Sequence, residues 1–253
     1  MNLHFIDAYS LDELWFMAIK KVVEQGRKYL ITSGSYEGIN RSSISAVLRV
    51  RYPATRPLEP TLAPGSGIAS PASSTQIEDY LLYLMTNTKS PNEHYTYGED
   101  LHWEVPWVIK HYKEKGFGTA HCYMTVGRPE SLYFYDKETS YSEHIYCYDS
   151  KKPVTDPPKS IRHVSNDFTQ KETGSSQCLR GIDTWVEDGN LNFWCYFRSW
   201  DLWGGFPSNL AAIQILKEYM AGEIGVEDGE IIASSKGLHI YKYVWELAKL
   251  RRG

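Results

Sequence analysis

Leu191-Asn192-Phe193-Trp194-Cys195-Tyr196-Phe197-Arg198 runs through Ser199-Trp200-Asp201 into Gly205-Phe206-Pro207-Ser208-Asn209, and the fold is read outward from this stretch. The aromatic run has the make-up of a β-strand with apolar side chains on both faces, as in a sheet covered on both sides. It ends in a charge, and the last side chain of a strand can leave the sheet to meet a ligand. The Gly-Phe-Pro turn launches a helical pattern at Leu210, Ile213, Leu216, Lys217 and Met220. Upstream, turn signals precede Gln177-Cys178-Leu179-Arg180. Downstream, His239-Ile240-Tyr241 sets a histidine and a tyrosine on the same side of an apparent strand. A thiol, a guanidinium, a carboxylate and an amide thus fall near element ends, the usual places for chemistry.

In order and spacing, Cys178, Arg198-Ser199-Trp200-Asp201, Gly205-Phe206-Pro207-Ser208-Asn209 and His239-Ile240-Tyr241 resemble the nucleotide-binding core of the thymidylate synthase and pyrimidine hydroxymethylase superfamily. The family's pattern is a cysteine nucleophile, Arg-Ser-x-Asp, Gly-x-Pro-x-Asn and His-x-Tyr. The resemblance covers residues 178–241 well and the rest of the chain loosely. It implies an α/β fold with a large mixed β-sheet flanked by helices, one catalytic domain over 1–253, and a homodimer formed through the sheet. It also implies one-carbon transfer from 5,10-methylenetetrahydrofolate to carbon 5 of a pyrimidine nucleoside monophosphate, with no metal.

Each matched residue then has an expected role. Cys178 adds to carbon 6 of the ring, which makes carbon 5 nucleophilic. A cation lowers a thiol's pKa, so Arg198, at a neighbouring strand end in the family fold, stabilises the thiolate and binds phosphate beside Ser199. Asp201 lies near the pterin and the base, or caps the turn before the helix. Asn209 offers a donor and an acceptor to uracil O4 and N3–H. An amide that flips would serve cytosine too. His239 and Tyr241 bind the sugar 3′-hydroxyl. Cys195, inside the aromatic strand, is a core residue.

Composition narrows the classes. The 253 residues suit one sizeable domain, and a net charge of −4 argues against a general nucleic-acid binder. No apolar run is long enough for a bilayer span, the first residues lack a signal-peptide layout, and the four cysteines form no C-x-x-C pair. A reducing cytoplasm is the expected setting.

Taken in order, Ser10-Leu11-Asp12-Glu13 has the pattern of a capping box opening a helix over 11–26. The run from Ser43 to Tyr52 alternates as a strand; Arg41 just before it is the nearest candidate for the phosphate arginine that the resemblance implies, without the family's Arg-Thr-Gly sequence, and is otherwise a solvated loop charge. Residues 53–75, rich in proline, form a long loop, either a cover that could serve as the site's lid or a surface excursion. In Ile77-Glu78-Asp79-Tyr80-Leu81-Leu82, Asp79 takes the position of the family's catalytic glutamate by strict count, with Glu78 one residue earlier. Either is otherwise an ordinary acid of a helix's first turns. Tyr97-Gly98 matches a family turn, followed by a helix from Val105 to Lys115. Trp103 and Trp107 are either folate-side wall or core. A strand is expected over 119–126. There His121, with Arg128 nearby, stands where the family carries two arginines that reach the neighbouring subunit's phosphate. Residues 129–176 have no assigned role.

The chain departs from the family pattern at Leu179, where a histidine is usual, and at Phe197, where a glutamine is usual. It ends at Gly253, short of the family's closing C-terminal tail, so water could capture the methylene intermediate. A hydroxymethylase acting on dUMP, dCMP or CMP is therefore the alternative to a thymidylate synthase making dTMP from dUMP. A non-catalytic nucleotide or RNA binder is disfavoured by the presence of Cys178 with Arg198.

Overall fold

The computed structural model describes residues 3–32, 36–62, 68, 70–88, 95–127 and 177–250. Arg128, the 129–176 segment and the middle of the 53–75 loop lie outside the described residues. The chain divides into two compact units, Met1–Val126 with Gln177–Gly253, and Gly127–Ser176. The first unit carries every element named below.

Its centre is one mixed sheet. β1 (Leu3–Ala8) runs parallel to β3 (Asn40–Val50), which also pairs with β2 (Arg27–Leu30). Next to β3 lies β8 (Glu227–Tyr241), antiparallel to it and parallel to β6 (Asn190–Phe197). Beyond β6 come β5 (Leu179–Glu187) and β4 (Tyr123–Thr125), each antiparallel to its neighbour. The two-residue β7 (Trp200–Asp201) continues alongside the end of β8. Asp188 and Gly189, both at positive φ, turn β5 into β6; consecutive left-handed residues suit the twist of a tight hairpin.

Helices α1 (Leu11–Gln25), α4 (Phe206–Ile224) and α5 (Trp245–Leu250), with α2 (Ser74–Met85) and α3 (Gly98–Lys115), complete the mixed α/β fold. The expected strand alternation holds, since Ile44, Ala46, Leu48 and Val50 are all buried. In α1, Ser10 caps Glu13 N as expected, but the Glu13 carboxylate accepts from Tyr9 N rather than from Ser10. The reciprocal capping box is found instead at Ser73 and Gln76, opening α2. Helix α3 begins at Gly98, seven residues earlier than expected, because Glu99 and Asp100 favour a first turn and Pro106 leaves the helix uninterrupted.

One expectation changes. The buried side chains of β6 are Leu191, Phe193, Cys195 and Phe197 on one face, with Asn192 beside them, whereas Trp194 and Tyr196 on the other are exposed. The same open face carries Phe5, and cross-strand register aligns Phe5, Val47, Ser234 and Tyr196 in one row. Among the described residues the sheet is therefore covered on one side only. Among the described residues, no helix is long and apolar enough to cross a membrane.

Candidate active site

The ends of several elements meet at one end of the sheet. Cys178 immediately precedes β5, and Arg198 immediately follows β6. The two are joined across the hairpin mouth by the backbone bond from Arg198 N to Cys178 O (2.9 Å). Arg198 Nε donates to Gln177 O (3.1 Å), fixing the turn that presents the thiol. Arg180 Nη1 reaches Gln177 Oε1 (3.4 Å), so a second guanidinium lies close by. Cys178 is half-buried, unlike Cys122 and Cys195, which are sealed in the core. Burial pushes the Cys195 thiol up to about 12 and holds it protonated, in keeping with its reading as a core residue.

Against Cys178 stands a group of tyrosines that sequence reading missed. Tyr80 and Tyr83 of α2 pack on Tyr97, and Tyr95 packs on both Tyr83 and Tyr97, with ring centroids 5.0–6.1 Å apart. Tyr97 receives Leu179 N on its hydroxyl (3.3 Å). Burial first, and the neighbouring Cys178 second, push Tyr97 up to about 12. The signal available in the sequence was four tyrosines flanking the helix entrance at Gly98.

Gly205 opens α4 with Pro207 in its first turn. Asn209 follows within the first turns, buried, and its Oδ1 accepts from Trp200 Nε1 (2.9 Å). An ideal Cβ at Gly205 would lie 3.3 Å from that oxygen, so the glycine leaves the amide its room. Asp201 Oδ1 accepts from Trp203 N (2.9 Å), which realises the turn-capping alternative. Its other oxygen, Oδ2, would lie 2.8 Å from a Cβ at Gly204, so a glycine there keeps it open.

Register brings in the remaining residues: Asp201 pairs with His239, and Arg41 with Tyr241. Ser199 lies opposite Gly237, just before β7. His239 Nδ1 bonds Gly237 O (2.7 Å); a carbonyl only accepts, so Nδ1 carries the proton. Nε2 is then a bare acceptor, buried and without a partner among the described residues. Tyr241 stacks on Tyr36 (4.5 Å) and edges onto His239 (4.8 Å). Arg41 is held by the Tyr29 hydroxyl and lies over that ring.

Burial, chiefly, lowers the His239 pKa, with Arg41 acting the same way and Asp201 opposing. The unfolded chain takes up this proton near 6.5, the folded one only at lower pH. Between those values the unfolded state binds more protons, so stability drops as pH falls below about 6.5. Urea titrations at pH 7.5 and 5.5 are expected to show this loss in the wild type and less of it in His239→Asn.

Other expected residues are not gathered here. Glu78 and Asp79 are exposed and their carboxylates make no hydrogen bond or ion pair with another described residue, although Asp79 lies one helical turn before Tyr83. Trp103 is 74% exposed, which removes its core alternative; Trp107 is half exposed and stacks on His111. His121 is exposed, just before the edge strand β4.

A family model described as thymidylate synthase matches residues 152–251. A protein of Methanosarcina acetivorans named "Putative thymidylate synthase" is 36% identical over 72 residues, 28% of this chain and 33% of that protein. The matched stretch thus spans about a third of that relative's length. A protein of Methanothermobacter marburgensis with the same name is 24% identical over 246 residues, 95% of each chain. Among solved structures, the thermostable thymidylate synthase A from Bacillus subtilis has the same fold, at a TM-score of 0.63 and 15% identity over 96% of this chain and 84% of that one. The family model over the C-terminal part, the relative matched along nearly the whole chain and the shared fold make this chain similar to thymidylate synthases in sequence and in fold.

Proposed function

We propose that the chain, as a single catalytic domain over 1–253, transfers a one-carbon unit from 5,10-methylenetetrahydrofolate to carbon 5 of deoxyuridylate, giving thymidylate, in the cytoplasm. The observation that carries this reading is the half-buried Cys178 bonded to Arg198 at the same sheet end as two unfilled polar groups, His239 Nε2 and the amide nitrogen of Asn209.

In this reading Cys178 Sγ bonds carbon 6 of the uracil and the ring electrons move toward O4, where Asn209 donates a hydrogen bond. Carbon 5 would then attack the one-carbon unit and lose its proton as the unit's bond to the folate nitrogen breaks, and hydride uptake by the unit would complete the methyl group as the carbon–sulfur bond breaks and returns the thiolate. Arg198, which also holds the turn before Cys178 through Gln177 O, binds the phosphate with Ser199 and Arg41. His239 Nε2 accepts from the sugar 3′-hydroxyl, with Tyr241 beside it. Tyr97 and Tyr95 wall the thiol from water, and Asp79, one turn from Tyr83, or Glu78 orders the water that moves protons.

The folate, when bound, supplies the one-carbon unit and the hydride that completes a methyl group. The open Oδ2 of Asp201 suits an N–H donor of a pterin, and Trp103 offers an exposed aromatic face. The uncovered sheet face with Trp194, Tyr196 and Phe5 supports a homodimer formed through it. Incubation of the pure protein with deoxyuridylate and methylenetetrahydrofolate, followed by mass spectrometry, is expected to show addition of a methyl group. A hydroxymethyl product would instead assign the hydroxymethylase reaction, and no product with either uridine or cytidine nucleotides would remove the proposal.

A further inference from the structure

Trp200 occupies the variable position of the Arg-Ser-x-Asp motif and is buried. Its ring lies flat on Phe197 (3.8 Å, 6°) and against Phe206 (4.4 Å), so the indole is gripped between a strand end and the start of α4. Pairing of Trp200 with Leu238 fixes its backbone too. Its N–H points at the side chain of Asn209, 2.9 Å from Oδ1. An indole nitrogen only donates, so the group facing it must be the amide oxygen; the chemistry of the pair decides the amide's orientation. The amide nitrogen makes no hydrogen bond with another described residue.

We propose that Trp200 sets the base specificity of the site by locking the Asn209 amide in one orientation. The inference rests on the reading of this pocket as a pyrimidine nucleotide site. In the locked state Nδ2 offers a donor to the substituent at carbon 4, and the remaining lone pair of Oδ1 accepts from N3–H. A 4-carbonyl with a protonated N3 meets both; a 4-amino group beside a bare N3 meets neither. Accepting the 4-amino base requires the amide to flip, which turns its NH₂ against the indole N–H and leaves two donors facing each other in a buried position. Trp200 thus acts as a positioning residue through Asn209.

The test measures calorimetric affinities of the full chain for deoxyuridylate and deoxycytidylate, in the wild type and in Trp200→Phe, which keeps an aromatic ring and loses the donor. A second form carries β-(3-benzothienyl)alanine at position 200, a shape match for tryptophan without the N–H, and decides the matter should Trp200→Phe fail to fold. The preference for deoxyuridylate is expected to fall about tenfold or more in both forms, through tighter deoxycytidylate binding and weaker deoxyuridylate binding. An unchanged ratio in the folded variants, with wild-type deoxyuridylate binding intact, overturns the lock and leaves the proposed function standing. A wild type that binds neither nucleotide removes the pocket reading and this inference with it.

Discussion

Cys178→Ser is expected to abolish tritium release from carbon 5 of labelled deoxyuridylate, with turnover falling by roughly 10³-fold or more, while the nucleotide still binds. Serine keeps the size of the side chain but its hydroxyl has far too high a pKa to add to the ring. The substitution lies in a half-buried turn, not in the core, so the fold should survive; Gln177 O and Cys178 O keep their bonds to Arg198, which use backbone atoms on the cysteine side. The affinity measured with the same protein separates chemistry from binding: phosphate and sugar contacts are independent of the thiol. Release at the wild-type rate would refute Cys178 as the nucleophile.

The second large effect concerns stability. Lys217 is fully buried in α4, and its ammonium is bonded to Asp228 Oδ1 (2.8 Å) and to Gly229 O, at the start of β8. Asp228 Oδ2 also accepts from Gln214 Nε2 (2.8 Å); Gln214 and Arg56 both bind Glu218, extending the network to the 51–60 loop. Burial lowers the Lys217 pKa and the Asp228 charge opposes that shift. Removing one partner of such a pair leaves the other uncompensated in a dry site, so Lys217→Met is expected to cost about 3 kcal/mol in urea unfolding. That is a large share of the roughly 5–15 kcal/mol that holds a domain together. Adding Asp228→Leu to Lys217→Met should recover part of the loss, because an apolar pair no longer strands a charge. A single-variant loss below about 0.5 kcal/mol would show that water solvates the pair. Since α4 also carries Asn209 two turns earlier, loosening this anchor should weaken nucleotide binding as well.

Cys178, Arg198, Asp201, Asn209, His239 and Tyr241 were legible in the sequence because motif order and spacing survive without coordinates. The structure brings these residues to one sheet end through the pairings Asp201 with His239 and Arg41 with Tyr241. Lys217 was visible only as a member of a helical stripe. A lysine there is tolerated because Asp228, eleven residues on, comes back to meet it. The tyrosines around Cys178 were missed for a related reason: Tyr80 and Tyr83 come from one helix, Tyr95 and Tyr97 from the approach to the next, and only packing joins them. Glu78 and Asp79 show the converse, since a match by count did not bring either carboxylate into a bond near the thiol.

The linear order of residues determined the identity of the strands and helices, through alternation in β3 and the Gly-Phe-Pro start of α4, and it determined which side chains stand at their ends. These are properties of neighbours along the chain, set by backbone sterics and side-chain periodicity. Tertiary structure alone decided that one sheet face is open, that the Asn209 amide points its oxygen at Trp200, that His239 has a buried nitrogen to spare, and that Lys217 has an anion to meet. Each of these depends on groups brought together by folding, whose burial and hydrogen bonding exist only once the sheet has closed its register.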